Sequence, residues 1–81
     1  MTGTKIYVDV TAEFSKDGIL TPKCFVWEDG SIYEIQRIKD VRRAASLKAG
    51  GVGQRYTCVV DGREVYLFYE DNNMWFMEKS A

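Results

Sequence analysis

Apolar and polar residues alternate from Lys5 onward: Ile6, Val8, Val10, Ala12 and Phe14 fall on one side, Tyr7, Asp9, Thr11 and Glu13 on the other. A period of two predicts a half-buried strand, and the β-branched content agrees. Met1–Thr4 read as a frayed end before it. Ser15-Lys16-Asp17-Gly18 then supplies a turn, with Gly18 suited to positive φ.

A second apolar run, Ile19–Glu28, contains the only proline. Pro22 has no N–H for a ladder, so the first half of this run is an edge, a bulge or a strand beginning. Lys23–Trp27 is the better strand, closed by Glu28-Asp29-Gly30. A third strand runs from Ser31 to Val41 with an imperfect phase. Tyr33 and Ile35 share a face, whereas Ile38 falls on the opposite one. A bulge near Gln36-Arg37 would bring Tyr33, Ile35, Ile38 and Val41 to one side and bend the strand.

Gln54–Val60 is a fourth strand, followed by Asp61-Gly62, a hairpin signal of the I′ type. That turn sets Val60 opposite Arg63, Cys58 opposite Val65 and Tyr56 opposite Leu67. One face then carries Tyr56, Cys58, Val60, Val65, Leu67 and Tyr69; the other carries Thr57, Val59, Tyr66 and Phe68. Val65–Tyr69 is apolar on both faces and belongs inside a covered or rolled sheet. Glu70–Asn73 turns once more, and Met74–Glu78 makes the last strand.

Between these strands lies Asp40–Arg55, which is basic and rich in small residues and glycine. Val41, Ala44, Ala45 and Lys48 have helical spacing, with Asp40 as N-cap and Gly50-Gly51 as terminator. The spacing predicts a short helix over Val41–Lys48; a long irregular hairpin arm is the rival reading. The expected fold is mainly β: a small antiparallel, strongly coiled sheet of about six short strands with one short helix, an SH3-like or OB-like open barrel. So few strands can hardly fill the two layers of a sandwich. The 81 residues make one domain at most.

Composition adds exclusions. The 46% hydrophobic content suffices for one core, and with a net charge of −1 the chain is not of the disordered type. No apolar leader follows Met1, and no stretch approaches the roughly 20 apolar residues that span a bilayer. A cytoplasmic location without membrane contact is therefore expected, with Cys24 and Cys58 as free thiols. There is no histidine, which removes the usual general base, the Ser-His-Asp and Cys-His arrangements, and the commonest zinc ligand. The carboxylates fall mostly in turns and form no standout pair, so no enzyme is expected.

Gly50-Gly51-Val52-Gly53 matches neither a dinucleotide fingerprint nor a P-loop, because Gln54-Arg55-Tyr56 follows and a strand begins there. No cofactor is expected. The cluster reads as a loop and helix cap, or as an anion nest beside Arg42, Arg43, Lys48 and Arg55. Tyr66 and Phe68 share a face of the final hairpin, where aromatics of small barrels stack unpaired bases. These residues make a non-catalytic binding module the expected function, with nucleic acid or another phosphate-bearing ligand as partner. The alternative is a protein-interaction or self-associating domain using an exposed strand edge and the Trp75-Phe76-Met77 strand.

Certain residues also carry a resemblance. They are Phe25-Val26-Trp27 with Gly30, Tyr33-Glu34-Ile35, Asp40-Val41-Arg42, Arg55-Tyr56-Thr57, Tyr66 to Asp71, and Trp75-Phe76. In this pattern of spaced aromatics and turns the chain resembles a group of small uncharacterised bacterial domains. The resemblance implies a free-standing bacterial cytoplasmic domain and assigns no functional residue.

Overall fold

Eight strands account for most of the chain in a computed structural model that describes residues 3–45 and 52–80. They are β1 (Gly3–Tyr7), β2 (Asp9–Phe14), β3 (Leu20–Val26), β4 (Ile32–Glu34), β5 (Arg37–Ala45), β6 (Val52–Val60), β7 (Arg63–Glu70) and β8 (Trp75–Ser80). One sheet has the order β1-β8-β7-β6-β5 and the other β2-β3-β4, and every pairing is antiparallel.

Two long runs of alternation each divide between the sheets. The first breaks at Val8, whose N–H donates to the Trp75 carbonyl at 3.1 Å. The run from Ser31 breaks at Ile35-Gln36, where both N–H groups stay bonded: Ile35 donates to Lys23 O and Gln36 to Val59 O. Strands that change sheet at a corner let a short chain build two packed layers. Two layers therefore replace the single coiled sheet expected, and eight strands the expected six. Met1 and Thr2 lie outside the described residues; Gly3 and Thr4 are not frayed but pair with Ser80 and Lys79.

The Asp61-Gly62 turn forms as the sequence predicts. Both residues have positive φ, 51° and 75°, and the register of β6 on β7 is the predicted one. Gln36 Oε1 accepts the Gly62 N–H at 3.0 Å and ties the turn to the corner before β5. The predicted inner face, Tyr56, Cys58, Val60, Val65, Leu67 and Tyr69, packs together. Phe25, Val10 and Tyr33 meet it from the smaller sheet. Pro22 is buried beside a bulge at which Lys23 has no partner on β2. β4 pairs only with Cys24–Val26, so nothing there requires an N–H from Pro22.

The predicted helix does not form over Val41–Ala45. This segment is strand, paired with Val52–Tyr56, and Asp40 stands opposite Thr57 rather than capping a helix. A row of ladder bonds outweighs the weak helical preference of so short a segment. Ser46–Gly51, which contain Lys48 and the glycine pair, lie outside the described residues. The phase shift predicted near Gln36-Arg37 is a break there and a bulge at Lys39, between the pairs Ile38↔Cys58 and Asp40↔Thr57. Tyr33, Ile35 and Ile38 reach the core as predicted; Val41 stays 46% exposed.

Among the described residues no helix is long and apolar enough to cross a membrane, and no group of three or more Cys, Asp or Glu residues could hold a metal ion. Both cysteines are free thiols, and burial pushes the Cys58 thiol up to about 11.

Candidate functional site

The registers place one row of side chains across the whole five-stranded sheet: Tyr7, Phe76, Phe68, Arg55 and Arg42, from β1 to β5. Side chains alternate between faces, so this row lies opposite the main core. Its left half is aromatic. Phe68 stacks on Phe76 with centroids 4.8 Å apart, and Tyr7 meets Phe76 edge-on at 6.2 Å. The Lys5 ammonium lies 4.7 Å from the Phe76 centroid and donates to Glu70 at 2.9 Å. The Tyr7 hydroxyl donates to the other Glu70 oxygen at 2.7 Å. These two bonds hold the Glu70 carboxyl below its ordinary range, and the Glu70 bond raises Lys5.

The right half is basic. The Arg55 guanidinium lies 4.6 Å from the centre of the Tyr66 ring, while Tyr66 is 44% exposed. Arg55 Nε is buried and has no hydrogen-bond partner among the described residues. Arg42 stands directly across from Arg55, and its Nε donates to Asp40 at 2.7 Å. That bond raises the Arg42 pKa.

The six residues singled out in the sequence do not all converge. Arg42, Arg55 and Tyr66 share the outer face. Phe68 shares it too but is only 2% exposed, so it cannot offer its ring to a base; its stack with Phe76 makes it a packing residue. Arg43 is on the opposite face, paired with Gln54 in the ladder. It holds Asp71 with two bonds, at 3.1 and 2.8 Å, which lower the Asp71 carboxyl. Lys48 lies outside the described residues. Gly53 is a buried strand residue: a Cβ there would lie 2.1 Å from the Tyr69 carbonyl oxygen. Close approach of two backbones, not a loop conformation, explains that glycine.

Sequence reasoning missed a second surface. β7 and β8 pair only at Phe68↔Phe76 and Tyr69↔Trp75, beside the turn that joins them. Beyond Phe76, β8 continues along β1 while β7 continues along β6, so the two strands splay. The gap is a groove of about 600 Å³ lined by Phe25, Trp27, Tyr33, Val65, Tyr66 and Met77, with Asp61 and Arg63 at its rim. Its only local trace in the sequence is the apolar content of both strands. No protein-family model matches the chain, and no curated protein or solved structure is significantly similar to it.

Proposed function

We propose that this chain is a non-catalytic binding module that contacts phosphate groups of a partner, single-stranded nucleic acid first, through Arg55, Tyr66 and Arg42. One observation carries the reading. The neighbouring Arg42 and Arg43 are ion-paired, whereas the Arg55 side chain is half-buried over Tyr66 with its Nε donor unmet among the described residues. A guanidinium held over an exposed ring is placed for an oxyanion and for a stacked base. Arg42 reinforces it, because a solvent-exposed pair such as Arg42–Asp40 is weak and yields readily to phosphate. In this reading the two sheets coil as an SH3-like or OB-like open barrel, a form that carries ligands on exposed strand faces. The resemblance to bacterial domains supports a cytoplasmic location.

The test is a titration of isotopically labelled protein with oligothymidylate and, separately, with inorganic phosphate, at low and moderate salt. Amide and guanidinium shifts at Arg42, Arg55 and Tyr66 that weaken steeply with salt are the expected result. Shifts with phosphate alone would narrow the ligand to a small anion. No response at low salt overturns the reading. A second reading, a protein-interaction or self-associating domain, is favoured by the bare edge that β7 presents where its ladder with β8 stops.

A further inference from the structure

The splayed strands assign this second surface an occupant, and we infer that the β7–β8 groove receives an extended peptide segment of a partner protein by strand addition to β7. The inference rests on the second reading above and is independent of Arg55.

Backbone direction along β7 carries the argument. The Glu70 N–H donates to the Met74 carbonyl at 2.8 Å, so even-numbered residues of β7 turn their main-chain groups toward β8. Odd-numbered residues serve β6, as required by the two-residue hairpin that pairs Val60 with Arg63. Glu64 and Tyr66 therefore direct N–H and C=O away from β6, on the side where the β8 ladder has already stopped, and Tyr66 lines the groove there. Neither residue pairs with β8, whose ladder with β7 covers Phe68↔Phe76 and Tyr69↔Trp75. An extended main chain is the ligand that satisfies such a row.

The groove floor defines the side chains of that ligand. Phe25, Tyr33, Val65 and Met77 line it, and a strand alongside β7 turns every second side chain toward them. The ligand is a segment alternating apolar and polar residues. Two of the outer edges, β5 and β4, are less open to addition. β5 is bulged at Lys39 and carries Arg37, Lys39, Asp40, Arg42 and Arg43, while β4 has three residues. Bulges, charge and shortness all discourage strand addition.

The full chain, labelled with nitrogen-15, should be titrated with a capped peptide alternating valine and threonine between terminal lysines. A peptide of the same composition with a central proline is the control. Hydrogen exchange at the Glu64 and Tyr66 amides should slow several-fold with the alternating peptide only. Glu64→Pro removes one N–H directed away from β6 while leaving the β6 ladder intact, and should abolish the protection at Tyr66. Glu64→Ala, which removes only the ion pair with Lys39, should retain it. Unchanged exchange at both amides at millimolar peptide overturns the proposal, as does protection at β5 or β1 instead. Protection that rises with protein concentration before any peptide is added assigns the groove to a second copy and overturns the partner-peptide assignment. The wild-type exchange result stands even if Glu64→Pro fails to fold. Oligothymidylate binding is told apart by salt-dependent shifts at Arg42 and Arg55, which the peptide should leave unmoved, so either proposal can fail alone.

Discussion

Arg55 and Phe68 face each other across the β6–β7 ladder, yet one ends on the exposed ring of Tyr66 and the other is sealed against Phe76. The outer face of the larger sheet thus changes from packed aromatic to open cationic within a single residue pair. That division separates positions that should respond to stability from those that should respond to ligand.

Phe68→Ala should destabilise the fold by about 3–5 kcal/mol, the usual cost of emptying a buried aromatic site. Tyr66→Ala should cost about 1 kcal/mol, chiefly the contact with Arg55. Denaturant midpoints of the two variants check the contrast. Equal losses would mean that Phe68 is not the packing residue described.

Arg55→Ala and Arg42→Ala should each reduce the salt dependence of oligothymidylate binding by roughly one unit of slope per lost phosphate contact. Arg43→Ala should leave the slope unchanged, because Arg43 is on the other face and bound to Asp71. Binding measured at several salt concentrations decides this. A change with Arg43→Ala as large as with Arg55→Ala would contradict the division of faces.

Gly53→Ala should destabilise by about 1–3 kcal/mol, since the added methyl has to displace the neighbouring backbone. The obstacle is the Tyr69 carbonyl, not a flexible side chain. Thermal unfolding of the variant is the measurement, and an unchanged midpoint would remove the close-approach explanation.

Acid should weaken the fold through Glu70. Its folded pKa lies below the ordinary 4.5, so the stabilisation is complete above that pH and is lost as pH falls through the folded value. Lys5 has the opposite sense: its folded value is raised above 10.5, so its contribution is complete below that pH and lost as pH rises through the folded value. The pair is constant near neutrality. Glu70→Gln should therefore lower stability at pH 7 by about 1–2 kcal/mol and flatten the decline below pH 4.5. Denaturation at pH 7 and pH 3 tests both parts; a decline as steep in Glu70→Gln would assign it to other carboxylates.

At neutral pH a thiol reagent should modify Cys24 faster than Cys58. Cys24 is half-buried, whereas Cys58 is fully buried with its thiol pushed up to about 11. The thiolate is the reacting form, so both access and ionisation act in the same direction. Mass spectrometry of a partly labelled sample would reveal the order.

The parts of the fold legible in the sequence were those fixed by near neighbours. Asp61-Gly62 determined a turn and thereby a register, and the period of two sorted Tyr56, Cys58, Val65 and Leu67 onto the core face. The corners at Val8 and Ile35-Gln36 left no comparable mark, because a strand can change sheet without losing its alternation. The helical spacing of Val41, Ala44 and Ala45 was present but weak, and only the partner strand Val52–Tyr56 overrode it. The candidate site was half legible. Arg42, Arg55 and Tyr66 came together, while the direction of Arg43 depended on ladder parity after the Lys39 bulge. Burial of Phe68 depended on Phe76, and the groove on where β8 leaves β7. Neither relationship has a local signature.

The pairing of Gly3 with Ser80 has a mechanical consequence. These two positions sit opposite each other at the outermost rung of an antiparallel ladder, about 5 Å apart. Tension applied between them would load the rungs of β1 and β8 one after another, as in opening a zip, and not all together in shear. A low and gradual yield force is expected along that axis. The same short separation would let the whole unit be spliced into a surface loop of another protein with little stretching of the host.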